Sequence, residues 1–219
     1  DKPRFAFFQV FQPRGGGKRQ APTFDVIAPG VAKHEEEIVL APGAEPAADP
    51  NLVLRVAVAA AEFGLPIAPG TLRNLKKCPI GDRNWTDESR ELFIRLLASG
   101  PALLNVWEDI DFIDVPGKLI PEWLGVRNRP SASAAHRYTI DRHMVEVVTR
   151  LGRETPSGGR YDDRHYEALL LAGILHDIGK RPGGPTMRRK ALGMRPWSWN
   201  AWDSTATSSA GSRCWYASI

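Results

Sequence analysis

The chain has 219 residues, of which 42% are hydrophobic and 25% are charged, a balance that permits a buried core and argues against wholesale disorder. No apolar run approaches the roughly 18–20 residues that a membrane span needs, and the N-terminal residues do not resemble a signal peptide, so the sequence predicts a cytoplasmic protein with no membrane partner. The two cysteines, Cys78 and Cys214, are too few for a disulfide framework or a zinc ribbon.

The net charge of +4 and the isoelectric point of about 9.2 come from one end of the chain. Residues 181–219 contain six basic residues and one acid, whereas residues 1–180 contain 23 basic and 24 acidic residues. A folded nucleic-acid-binding domain is expected to carry its own basic patch. The sequence therefore predicts no nucleic-acid partner.

Residues 1–50 are predicted to form an irregular lead-in and a linker. Residues 1–30 mix short apolar pieces with three consecutive glycines and scattered prolines, and residues 41–50 are rich in Pro, Ala and Gly, which is typical of loops. Residues 35–40 fit either a short strand or a helical turn. No pair of strands is convincing anywhere in the chain, so the predicted fold class is all-α.

Residues 51–130 are predicted to form a helical region. Asp49-Pro50 suits the start of a helix, and apolar residues then recur with helical spacing as far as Phe63, before Gly64. Thr86 is expected to cap a second clear helix, which ends at Gly100-Pro101. The other helices predicted in this region cover residues 71–77, 102–113 and 118–126.

Residues 131–180 are predicted to contain two further helices. Thr139 is expected to cap the first, which carries His143, and Asp163 is expected to cap the second, which ends in the doublet His176-Asp177. The polar residues 152–159 would form the loop between them. Residues 181–219 show no helical or strand periodicity although they hold four of the seven tryptophans, so they are expected to be disordered.

The doublet His176-Asp177 is the strongest chemical signal in the sequence. It follows the apolar run 169–175 and precedes Ile178-Gly179-Lys180. An imidazole and a carboxylate are costly to bury unless they bind a metal or find hydrogen-bond partners. Facing helices that carry His143 and the doublet would offer two imidazoles and a carboxylate, a donor set that suits Mn, Fe, Zn or Mg. The alternative is that each histidine caps a helix or bonds a carbonyl, but the combination favours a metal site.

With these motifs the sequence resembles the HD superfamily of metal-dependent phosphohydrolases, which are all-α proteins. More narrowly, residues 119–123, the pattern His136-x-Tyr138-Thr139-x-Asp141-x-His143 and residues 175–180 resemble the family of bifunctional enzymes that uridylylate and de-uridylylate the nitrogen regulatory protein PII. The resemblance covers roughly residues 35–180. It implies that residues 51–130 precede an HD domain and that residues 131–180 are part of one.

The resemblance also implies the chemistry. A divalent cation, Mg or Mn, would be held by His143, His176 and Asp177 and would activate a water to cleave the phosphodiester between a nucleotide and a tyrosine of uridylylated or adenylylated PII. Asp177 and Lys180 would have catalytic roles, Lys180 by neutralising phosphate charge. His136 and Asp141 would support the metal ligands or contact the nucleotide.

Two departures from the family limit what the resemblance implies. The transferase half needs a Gly-Ser motif followed by paired strand carboxylates, whereas Gly-Ser occurs here only at Gly211-Ser212 and Asp109-x-Asp111 lies in a predicted helix, where a solvated face is expected. The last Asp metal ligand of the family is absent after Lys180, and a frameshifted reading of residues 181–219 would explain the break.

The chain is therefore expected to be a truncated relative of the uridylyl-removing part, with impaired or lost hydrolysis. Two alternatives stay open: another HD-type nucleotide phosphohydrolase, or a helical module that binds PII without chemistry.

Overall fold

The computed structural model describes residues 23–80, 85–130, 138–152 and 163–180. His136 and residues 181–219 lie outside these ranges, so the predictions for that histidine and for the tail stay predictions, as do the domain boundaries. The described elements are the strands β1 (Asp25–Ala28), β2 (Val31–His34) and β3 (Glu37–Leu40), the helices α1 (Leu52–Phe63), α2 (Pro69–Leu75), α3 (Asp87–Leu97), α4 (Ala102–Phe112), α5 (Val115–Leu119), α6 (Ile140–Leu151) and α7 (Asp163–Leu175), and a 3-10 helix (Pro121–Gly125).

Residues 25–40 form a three-stranded antiparallel sheet in the order β1-β2-β3. The expectation that no strands pair is wrong here, and the strand interpretation of residues 35–40 is confirmed over Glu37–Leu40. Each strand has only four residues, too few for alternation to stand out in the sequence. Val31 and Ile38 are fully buried, and Ile38 also exchanges backbone hydrogen bonds with Pro66 and Ala68.

Helix α1 is the centre of the fold, and nearly all of its residues are buried. It packs against β2, β3, α3 and α4, which explains a sequence that is apolar on almost every side. It begins at Leu52 rather than at Asp49-Pro50, and Asp49 Oδ1 instead accepts a hydrogen bond from the backbone N–H of Asn51 at 3.0 Å. It ends, as predicted, at Gly64, which is the C-cap residue and adopts the left-handed conformation with a φ of +64°.

Helices α3 and α4 follow the sequence prediction closely. Thr86 caps α3: its Oγ1 accepts a hydrogen bond from the backbone N–H of Ser89 at 3.0 Å, and Ser89 Oγ accepts one from the backbone N–H of Thr86 at 3.2 Å. This reciprocal pair is a capping box.

The single helix expected over residues 118–126 is wrong. Helix α5 ends at Leu119, Ile120 is extended with φ −130° and ψ 89°, and the 3-10 helix begins at Pro121. A proline lacks the N–H that would continue a helix and disfavours the helical conformation of the residue before it. The 3-10 helix buries Trp123, whose ring lies edge-on to Trp107 of α4 at 5.2 Å between centroids.

Helices α6 and α7 pack against each other, α6 also contacts α4, and α7 also contacts α3. Thr139 is the N-cap residue of α6, as expected, although its side chain makes no capping hydrogen bond. Asp163 is the first residue of α7 rather than its cap. The predominance of helix confirms the all-α class in its broad sense, with the small sheet added. Among the described residues the longest helix has 13 residues, and none has the length and apolarity that crossing a bilayer requires.

Candidate metal centre

The three residues predicted to hold a metal come together where α6 begins and α7 ends. His143 lies in the first turn of α6, and His176 and Asp177 lie in the turn that follows α7. The prediction that the doublet lies on the helix itself is wrong, because α7 ends at Leu175. The turn is held by backbone hydrogen bonds from Ile178 N to Leu175 O at 3.1 Å and from Lys180 N to Asp177 O at 2.9 Å.

The ligand-type atoms of these side chains converge. His143 Nε2 lies 3.3 Å from His176 Nε2, and Asp177 Oδ2 lies 4.0 Å from the first and 3.5 Å from the second. One donor atom of each residue falls within 4.8 Å of the others. In the part of the chain that the structure describes, no other three His, Cys, Asp or Glu side chains approach in this way.

The backbone of α7 favours one tautomer of the neutral His176 ring. Its Nδ1 lies 2.8 Å from the carbonyl oxygen of Gly173. A carbonyl only accepts, so Nδ1 carries the proton of the neutral ring and Nε2 presents a lone pair towards His143 and Asp177. Metal-binding histidines usually show this arrangement, in which one ring nitrogen donates to a carbonyl and the other faces the ion.

The two imidazoles meet edge to face, with ring centroids 5.2 Å apart and planes at 77°. When His176 is neutral and protonated at Nδ1, its Nε2 accepts and His143 Nε2 donates in the 3.3 Å contact between them. Binding a cation would require the lone pairs of both Nε2 atoms. We therefore expect metal binding to release or relocate the proton on His143 Nε2.

Asp177 supplies the buried charge of the site. The residue is 5% exposed, and its Oδ2 accepts a hydrogen bond from the Lys180 ammonium at 2.7 Å. A buried carboxylate is costly without such compensation. Lys180 is therefore part of the electrostatics of the site through its contact with the carboxylate, and its predicted contact with phosphate stays a prediction.

Gly173 allows α6 and α7 to approach closely enough for the site to form. A Cβ at this position would lie 2.9 Å from Leu151 Cδ1 and 3.1 Å from Val148 Cγ2, both on α6. The first distance is shorter than real Cβ contacts and would require the end of the Leu151 side chain to move, and the second is tighter than nine in ten of them. The sequence shows only a glycine inside an apolar helix, so its role in the helix contact was missed.

Asp141 has a structural contact that the sequence did not indicate. It is buried, and its Oδ2 accepts a hydrogen bond from the backbone N–H of Asn128 at 2.8 Å. Together with the bond from Ile140 N to Arg129 O at 2.9 Å, this contact ties the segment before residue 131 to the start of α6. Asp141 is not among the three residues whose ligand atoms converge.

The acids of Asp109-x-Asp111 are only partly the solvated face that was expected. Arg127 donates to Asp111 Oδ2 at 2.9 Å and to Asp114 Oδ1 at 2.6 Å. These hydrogen bonds join the segment after the 3-10 helix to the end of α4. Burial raises the pKa of the Asp111 carboxyl above its ordinary value, and Arg127 opposes that rise. The prediction of a solvated face is wrong for Asp111, because its carboxylate pairs with Arg127. The sequence did not indicate this contact, since the two residues are 16 positions apart and no periodic pattern links them.

Cys78 takes no part in the site. It is buried, and burial raises the pKa of its thiol to about 11. Near neutral pH the thiol therefore stays protonated, which excludes it as a reactive nucleophile.

Comparison with known proteins gives close relatives over most of the chain. A bifunctional uridylyltransferase/uridylyl-removing enzyme of Streptomyces coelicolor is 40% identical over 169 residues, which are 76% of this chain and 19% of that protein. Its counterpart from Mycobacterium tuberculosis is 39% identical over 155 residues, 70% of this chain and 19% of the relative. The Corynebacterium glutamicum protein of the same name is 34% identical over 132 residues, 60% of this chain and 18% of the relative.

No protein-family model and no solved structure matches the chain. The chain spans about a fifth of the length of the curated relatives that it matches. Identity of 34–40% over most of the chain nevertheless establishes common descent. Over the matched segment, the chain is a homologue of the bifunctional uridylyltransferase/uridylyl-removing enzymes.

Proposed function

We propose that the chain contributes the metal-binding part of an HD-type phosphodiester hydrolase centre, the one that removes uridylyl groups. The observation that carries the proposal is the convergence of His143 Nε2, His176 Nε2 and Asp177 Oδ2 within 4.8 Å of one another, with His176 held in the metal-ready tautomer by Gly173. The names of the relatives include both a transferring and a removing activity. The imidazole-carboxylate donor set supports the removing one.

The donor set fits a divalent cation. Two neutral imidazoles and one carboxylate are mixed nitrogen and oxygen ligands, and of the two expected ions, Mg and Mn, such a mixture favours Mn. When bound, the cation would polarise a phosphoryl oxygen and lower the pKa of a bound water. Three protein ligands leave coordination positions for water and substrate, as catalytic metal sites require.

Other groups of the chain orient the metal ligands and contact the substrate. The Gly173 carbonyl orients His176 through Nδ1, and α6 presents His143 to the Nε2 of the same ring. The Lys180 ammonium, whose side chain is 40% exposed, can reach solvent and pair with a phosphate oxygen. The substrate class that fits these groups is a nucleotide joined through a phosphodiester to a protein, and we propose uridylylated PII, with adenylylated PII as the variant.

The test is release of UMP from uridylylated PII by the full chain in the presence of Mn²⁺. We expect slow release that depends on the metal and falls at least about 100-fold in His176→Ala, because removing a ligand costs more than disturbing its support. Glu91→Gln, at an exposed position on α3, is the matched control and should behave like the wild type.

Two results would contradict the proposal. One is release that persists in His176→Ala and Asp177→Ala. The other is binding of PII by the wild type with neither Mn²⁺ binding nor release, which would favour a non-catalytic binding module. Parallel assays with adenylylated PII identify the nucleotide that is removed.

A further inference from the structure

Lys180 binds the one atom of Asp177 that the proposed cation would need. Its Nζ lies 2.7 Å from Asp177 Oδ2, and the same oxygen lies 3.5 Å from His176 Nε2 and 4.0 Å from His143 Nε2. The ammonium therefore sits on the carboxylate oxygen that faces both imidazoles. A divalent cation and this ammonium would share a single oxygen at short range, where like charges repel strongly.

We infer that Lys180 is an internal competitor for the metal. In the metal-free protein its ammonium neutralises Asp177, and a divalent cation displaces it from Oδ2. The displaced ammonium then becomes available to an anionic group of the substrate. The inference rests on the proposed function for the metal itself and adds a coupling between metal loading and substrate recognition.

The surroundings of Lys180 allow this exchange. Its side chain is 40% exposed, whereas that of Asp177 is 7% exposed, so the lysine can leave the pair and the carboxylate cannot. A Cβ on the preceding Gly179 would meet nothing within 4 Å, which leaves open space beside the turn. The backbone bond from Lys180 N to Asp177 O at 2.9 Å does not involve the ammonium and need not break.

The exchange predicts opposite effects of Lys180 on two measurable quantities. Without a metal, the ion pair compensates a buried carboxylate and stabilises the fold. For metal binding, the same pair must be broken, so it lowers the affinity. Removing the ammonium should therefore destabilise the metal-free protein and increase its affinity for the metal. If Lys180 had only a structural role, its removal would destabilise the protein and weaken metal binding.

The experiment compares the full chain with Lys180→Met, Lys180→Arg and the control Lys77→Met, whose ammonium bonds Asn74. Calorimetric titration of chelator-treated protein gives the affinity for Mn²⁺, and thermal unfolding gives the midpoint of the metal-free form. We expect Lys180→Met to tighten Mn²⁺ binding roughly fivefold, as loss of a half-exposed competing ion pair predicts, and to lower the midpoint. Lys180→Arg should stay near wild type, and Lys77→Met should change neither quantity.

The outcomes separate this inference from the proposed function. Equal or weaker Mn²⁺ binding by Lys180→Met, with normal binding by the wild type, overturns the inference and leaves the metal centre standing. Binding by Lys180→Met but not by the wild type supports the inference. Binding by neither overturns the metal centre and the inference with it. Lys180→Gln, which keeps a hydrogen-bond donor but no charge, should also tighten binding and serves where the methionine variant does not fold.

Discussion

Asp177→Asn is expected to weaken Mn²⁺ binding at least about 100-fold, more than the 10–100-fold that loss of a supporting contact costs a metal site. Asparagine keeps the size of the side chain but removes the only negative charge among the three converging ligands. Two neutral imidazoles without a carboxylate hold a hard cation such as Mn²⁺ poorly. Calorimetric titration of the chelator-treated protein measures the change.

The control for this variant is Glu91→Gln, which removes a carboxylate from the exposed face of α3 and should bind Mn²⁺ like the wild type. Circular dichroism establishes that both variants retain their helices. If Asp177→Asn binds Mn²⁺ within about threefold of the control, the carboxylate is not a ligand and the site has been assigned to the wrong atoms.

Phe93→Ala is expected to lower the free energy of unfolding by about 3–5 kcal/mol, the usual cost of truncating a buried aromatic side chain. Phe93 is 2% exposed. Its ring lies 5.2 Å from that of Trp85 and 6.5 Å from that of Trp107, and Trp107 in turn meets Trp123. This row of aromatic rings joins α3, α4 and the 3-10 helix, and a cavity at Phe93 removes its ring contacts with Trp85 and Trp107.

Phe112→Ala is the matched control, because Phe112 is 73% exposed and its truncation leaves no cavity. Urea unfolding of the two variants should differ by about 3 kcal/mol or more, a large part of the 5–15 kcal/mol that stabilises a typical domain. Similar stabilities for the two variants would show that the aromatic row does not form in solution as described.

The sequence predicted the long helices well and the short elements poorly. Helices α1, α3, α4 and α6 each carry an apolar stripe over three turns or more, and a turn, glycine or capping signal marks at least one of their ends. The sheet was missed because its strands are four residues long and one of them is fixed by Ile67 on a distant segment. The break at Ile120 was readable in principle from Pro121, whose effect on the preceding residue is local.

The candidate site divides in the same way. His143 and the doublet could be expected to meet, because they were predicted on two helices whose facing sides would bring the three ligands together. Other features depend on contacts that sequence spacing does not reveal. Three contacts join segments whose approach is decided by packing. They are the close approach of Gly173 to Leu151 and Val148, the ion pair of Arg127 with Asp111 and the hydrogen bond from the backbone N–H of Asn128 to Asp141.

The most direct test of the proposed metal centre is the position of a bound cation. Diffraction from crystals of the full chain grown with Mn²⁺, recorded at the manganese absorption edge, locates the ion by its anomalous signal. We expect one peak in contact with His143 Nε2, His176 Nε2 and the Asp177 carboxylate, with the Lys180 ammonium moved off Oδ2. A map without a peak at these three side chains, with Lys180 still on Asp177, would contradict the proposed centre.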